Sequence, residues 1–157
     1  MRTLALLAAA AAMLAAAAVL AATSSGSASP SRTIRLFEHD SSQANIDLGD
    51  PGDSAGDLFV VAGDLFDRKG GRKRGTLAAS FTTVSTGPHG QLVVNAAFTL
   101  PGGEISAQGT FTGSRLFGGK TLRFPITGGT GTYRYARGQG TIQVPDQTDA
   151  RFVLTLR

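Results

Sequence analysis

The sequence predicts an all-β fold of eight short antiparallel strands. Two observations carry this: apolar and polar residues alternate in successive short segments, and clusters of Gly, Pro and Asp separate those segments at regular intervals. A third is negative, since no segment beyond the N-terminal leader has apolar residues at helical spacing. Eight short strands close into a barrel without leaving a free edge, and the interior then suits side chains or one small ligand. A sandwich or jelly roll gives the same alternation, so strand count alone leaves those alternatives open.

The chain begins with a leader. Arg2 is followed by an uncharged run from Leu4 to Ala22, nearly all Ala and Leu, and then by a Ser- and Gly-rich stretch to Ser31. This is the pattern of a secretory signal peptide with its processing region, assigned to residues 1–28; cleavage after Ala21 and cleavage after Ala28 both fit. The run is close to the ~20 residues that span a bilayer, so a retained anchor is the alternative. Alanine is only weakly apolar, which favours the cleaved leader, a secreted protein and no stable membrane insertion. Residues 29–32 are then a short linker and residues 33–157 a single domain. With no cysteine, disulfides, thiol catalysis and thiolate metal sites are excluded.

Within the domain, Ile34 and Leu36 alternate with Arg35 and Phe37 to open the first strand, and Asp40 to Ala55 reads as a polar loop broken by Gly49, Pro51 and Gly52. Gly56 to Phe66 is a near-continuous apolar second strand, and Leu77, Ala79 and Phe81 share one face of a third. The fourth strand alternates most cleanly, with Leu92, Val94, Ala96, Phe98 and Leu100 on one face before the Pro101-Gly102-Gly103 turn. Ile105, Ala107, Gly109 and Phe111 line the fifth. Lys120 to Thr127 is the sixth strand and Thr132 to Val144 the seventh, which puts Tyr133, Tyr135 and Arg137 on one face. Phe152, Leu154 and Leu156 line the eighth.

Four stretches carry a family resemblance. Gly128-Gly-Thr-Gly-Thr-Tyr-Arg-Tyr-Ala-Arg-Gly138 resembles the glycine signature shared by dirigent proteins and allene oxide cyclases. Phe37-Glu-His-Asp40 is similar to their first strands, Gly56-Asp-Leu-Phe-Val-Val-Ala-Gly-Asp-Leu-Phe-Asp67 to a cyclase Gly-Asp-Leu strand, and Gly103-Glu-Ile-Ser-Ala-Gln-Gly109 to a further cyclase segment. The resemblance spans roughly residues 33 to 157. It implies an eight-stranded antiparallel barrel around an apolar pocket, a hydrophobic small-molecule ligand, no cofactor and a homotrimer. It does not extend to the cyclase reaction. Where the cyclases carry a carboxylate, two amides and a thiol, this chain has Arg35, Phe37, Gly63 and Phe81. An acidic residue that dirigent proteins often carry before the glycine turn falls near Arg123.

The candidate site follows from both lines of reading. Asp40 and Arg137 match charged dirigent pocket positions; together they could polarise a substrate oxygen as a catalytic pair, or close the barrel as a structural ion pair. Phe81, Tyr133 and Tyr135 are the expected pocket aromatics, the tyrosines having a capping role as the alternative. Gly52-Asp-Ser-Ala-Gly56 has the spacing of a hydrolase elbow but lies in a loop without the strand and helix that motif requires. His39 and His89 are too few and too scattered for a metal site. Formal charge is +4, with acids concentrated from Glu38 to Asp67 and bases from Arg68 to Arg74. That basic loop lacks the interleaved aromatics of a nucleic-acid surface, so no nucleic acid is expected. It is the contact surface of the alternative function, a non-catalytic envelope or extracellular scaffold.

Overall fold

The computed structural model describes residues 31–157; the predicted leader lies outside the described residues. Eight strands form a closed, fully antiparallel barrel in chain order: β1 (Arg32–Ile46), β2 (Leu58–Phe66), β3 (Lys73–Thr83), β4 (Gln91–Leu100), β5 (Gly103–Thr112), β6 (Leu122–Gly129), β7 (Gly138–Gln143) and β8 (Asp149–Leu156). Each strand pairs with its sequence neighbour, and β1 closes on β8 from Arg32 opposite Leu156 to His39 opposite Asp149. A single helical turn, α1 (Gly113–Leu116), joins β5 to β6.

The clean alternation read in β4 points Leu92, Val94, Ala96, Phe98 and Leu100 into the lumen, and β5 supplies Ile105, Ala107 and Phe111 opposite them. The middle of the barrel is filled by Phe98, Phe124 and Phe152: Phe98 meets Phe152 edge-on at 5.0 Å between centroids and lies parallel to Phe124 at 6.4 Å. Leu65, Ile105 and Leu154 are also fully buried, while Leu100, Tyr133 and Leu156 close the far end. The lumen is therefore plugged at one end and open at the other.

Two segments depart from the sequence reading. β1 runs on past His39 to Ile46 through a bulge between Asp40 and Ser42, where a polar loop was expected. Its exposed end pairs backbone to backbone with Leu58–Ala62 of β2, so ladder hydrogen bonds hold a strand that buries too few side chains to show a period. In the other segment, residues 131–133 form a turn of 3-10 helix and β7 begins only at Gly138, so Tyr133, Tyr135 and Arg137 do not share a strand face. The glycine signature explains why. Gly131 has φ +57, and a Cβ there would lie 2.2 Å from the Gly102 carbonyl oxygen of the β4–β5 turn. The two turns pack backbone against backbone, which only glycine permits. Pro125, without an N–H, sits in β6, and the β5–β6 seam is correspondingly short, covering Ile105 to Ala107 of β5 with a register shift.

Candidate functional site

The open end holds a cavity of about 730 Å3 with two unlike walls. On one side, β2 and β3 present Phe59, Val61, Ala79 and Phe81, and Phe117 reaches over from beyond α1. Phe59 and Phe81 are 5.4 Å apart between centroids, and Phe117 lies 6.5 and 6.4 Å from them. This aromatic cluster leaves Phe117 54% exposed at the rim. Beneath it lies a smaller apolar void of about 40 Å3, which shares Leu77, Ala79, Phe81, Ile142 and Phe152 with the cavity above. The void is bounded by Ala79, Ala96 and Ala107, cross-strand partners on β3, β4 and β5, whose small side chains leave the lumen unfilled there.

The adjoining wall comes from β1, which pairs with β2, and carries Glu38, Asp40, Gln43 and Asn45. Glu38 is 2% exposed and is packed over Gly63 of β2, where a Cβ would fall 1.7 Å from its carboxyl oxygen. Gly63 thus makes the room that Glu38 occupies. Its Oε1 is buried with no hydrogen-bond partner among the described residues. Burial, a side-chain hydrogen bond with Asp40, and the charges of Asp40, Asp149 and Asp64 push the Glu38 carboxyl up to about 9. Burial also raises Asp40, while its bond with Glu38 and the nearby His39 oppose that rise. Burial and the surrounding carboxylates thus favour the protonated form of Glu38 at neutral pH. The unpartnered Oε1 is buried against Gly63 of β2.

Asp149 completes the acidic rim in a different state. Lys69 Nζ donates to it at 2.7 Å and His39 Nδ1 lies 2.7 Å from its other oxygen, holding the buried carboxyl below its ordinary value despite desolvation. The same contact ties the basic loop down: Lys69 is bound to Asp149 and Lys73 to Asp64 at 2.7 Å, and Arg68 lies 3.9 Å from Asp67, so three of its cations are already partnered. Among the described residues, no three His, Asp or Glu side chains converge to hold a metal ion. Ser54 Oγ is hydrogen-bonded to Leu48 O in the β1–β2 loop, with neither strand nor helix around it.

Of the residues singled out in the sequence, Asp40 and Phe81 line the mouth and Arg137, Tyr133 and Tyr135 do not. Asp40 follows His39, which faces Asp149 at one end of β8; Arg137 accepts from Arg157 N–H at the other end. That separates them by roughly 25 Å at about 3.3 Å per strand residue. No Asp40–Arg137 pair forms. The Arg137 guanidinium instead donates to Thr127 O at 3.1 Å and Ala136 O at 2.8 Å, pinning the β6–β7 connection. Tyr133 is buried with its hydroxyl 3.4 Å from Pro101 O, and Tyr135 is 76% exposed on the far face. Glu38 is the site residue that sequence reasoning missed.

The fold is a closed eight-stranded antiparallel barrel, plugged at one end and open at the other onto an amphipathic cavity. The model of the family described as allene oxide cyclase barrel like domain matches residues 37–154, and the chain belongs to that family. No curated protein matches it in sequence. Among solved structures, it is similar to a cyclase described as a nonspecific heme-binding enzyme of [4 + 2] cycloaddition in neoabyssomicin biosynthesis, at 26% identity and TM-score 0.68, over 82% of this chain and 66% of that one. It is also similar to the Diels-Alderase AbmU from Streptomyces koyangensis, at 25% identity and TM-score 0.65, over 81% of this chain and 63% of that one. The chain thus spans just under two thirds of the length of both. The pterocarpan synthase dirigent protein GePTS1 shares the fold at 13% identity and TM-score 0.66, over 81% of this chain and 84% of that one.

Proposed function

We propose that this is a secreted barrel that takes one hydrophobic small molecule into its mouth and steers the cyclisation or coupling of that molecule without a cofactor. The observation that carries the reading is the pairing of an aromatic wall with a buried, neutral Glu38 whose Oε1 lacks a partner. An unsatisfied buried oxygen costs about 1–3 kcal/mol, a cost that a bound hydroxyl would relieve. The ligand class follows: a largely apolar, planar or folded molecule carrying a hydroxyl or enol O–H at one edge.

In this reading the barrel acts first by shape. The aromatic wall and the void beneath Phe81 hold the apolar part of the ligand in one folded conformer, which removes much of the entropic barrier to ring closure. Glu38 and Asp40 supply the chemistry at its oxygen. As an enol hydroxyl bound at the Glu38–Asp40 pair becomes a carbonyl, its proton passes to the pair and its electron pair forms the new carbon–carbon bond, while the pair gives a proton to the oxygen that receives the displaced charge. The cyclase and Diels-Alderase relatives support the ring-forming side of this proposal.

Native mass spectrometry of the protein taken from its own source tests the reading, followed by identification of any compound released on denaturation. A stoichiometric hydrophobic compound with an edge oxygen is the expected finding. Its precursor can then be offered to wild type, Glu38→Gln and Asp40→Asn, with both variants expected to convert it at least about a hundredfold more slowly. Protein that arrives empty and binds no apolar compound would contradict the proposal.

A further inference from the structure

The plugged end of the barrel carries a second depression, of about 670 Å3, that shares no residue with the mouth. Three arginines line it, Arg32 from β1 and Arg134 and Arg157 from the segments flanking β7 and β8, and no acidic side chain does. Among the described residues none of the three is paired with a carboxylate. Two are held over aromatic rings. The Arg32 guanidinium lies 5.3 Å from the Tyr133 centroid and that of Arg134 lies 4.9 Å from Tyr135. Stacking covers one face of each guanidinium and leaves its N–H edges for an acceptor. Tyr133 is anchored by burial and its hydroxyl contact, whereas Tyr135 offers its ring to solvent.

We propose that this depression binds a carboxylated polysaccharide, with Arg32 and Arg134 taking its carboxylates and Tyr135 stacking on a sugar ring. Three features select that ligand. The depression is open, which suits a polymer passing across it better than an enclosed small molecule. A guanidinium fork matches a planar carboxylate in bidentate geometry. An exposed aromatic ring complements the C–H face of a pyranose, which a bare inorganic polyanion does not have. The charge layout gives the site direction as well: Asp40, Asp53 and Asp146 line the mouth, so a polyanion is repelled there and drawn to the opposite end. Bound this way, the protein would lie on an acidic glycan with its small-molecule mouth facing away. The inference does not depend on what the mouth binds.

Fluorescence anisotropy of the full chain with a labelled oligogalacturonate, its fully methyl-esterified counterpart and a single-stranded DNA of equal charge tests it, at about 0.15 M salt. The acidic oligosaccharide is expected to bind, and its neutral ester at least about tenfold more weakly. The double change Arg32→Ala and Arg134→Ala should also cost at least about tenfold, and Tyr135→Ala should weaken the oligogalacturonate while leaving the melting temperature in place. All three side chains are exposed, so the barrel core is untouched. Arg134→Lys, which keeps the charge and loses the fork, should weaken binding too. Equal binding of acid and ester, no binding of either, or tighter binding of DNA would overturn the proposal. So would binding that is lost on changing Arg72 and Lys73 and is insensitive to Arg32 and Arg134.

Discussion

Glu38→Gln is expected to stabilise the protein above neutral pH and to flatten the dependence of its stability on pH. Unfolded, Glu38 titrates at its ordinary 4.5; folded, it titrates at about 9. Between those values the native state holds a proton that the unfolded state has lost, so the stability this group confers is complete below 4.5 and declines as pH rises towards 9. The limiting slope is about 1.4 kcal/mol per pH unit, lowered in practice by relaxation around the group. Gln keeps the volume and an N–H donor for Asp40 and cannot ionise. Urea unfolding from pH 5 to pH 9 should show wild type losing stability steadily, and the variant gaining on it by on the order of 1–3 kcal/mol at the alkaline end. Parallel curves would mean that Glu38 is ionised in the folded barrel.

Phe98→Ala is expected to be the most damaging single truncation, at about 3–5 kcal/mol. Phe98 is fully buried and contacts both Phe124 and Phe152 in the middle of the lumen, between the void below the mouth and the plugged end. Neighbours fixed on closed sheet cannot collapse into the space, so the transfer and cavity costs add. Thermal melting reads the loss directly. A cost below about 1 kcal/mol would show that the lumen repacks and that its floor is not rigid.

The barrel was legible because its walls are regular. In β4 and β5, where one face is lumen and the other solvent, alternation gave both the strands and the inward residues. Reading failed where packing and sequence period part company. The outer half of β1 is polar because it forms the mouth, and only pairing with β2 shows it to be strand. The glycine signature reads equally as strand or turn until Gly131 is seen against the Gly102 carbonyl. Glu38 was within reach: it continues the two-residue period of Ile34 and Leu36, which places a carboxylate on an apolar inward face. The matching vacancy at Gly63 lies 25 residues away and becomes informative only once β1 and β2 are paired. Arg137 shows the opposite limit, since a motif match placed it in the pocket and the fold places it at the plugged end.

The central claim is that the mouth between Phe81 and Glu38 is a binding site for one hydrophobic molecule. Titration with Nile red, a neutral apolar fluorophore that the acidic rim does not repel, tests it most directly when wild type is compared with Ala79→Phe and Val61→Phe. Both positions face the open cavity, so a larger side chain fills space that no protein atom occupies. The account predicts one saturable site in wild type and at least about tenfold weaker binding in each filled variant, with melting temperatures preserved. Binding that is unchanged by filling the mouth and lost on Tyr135→Ala at the far end would contradict it.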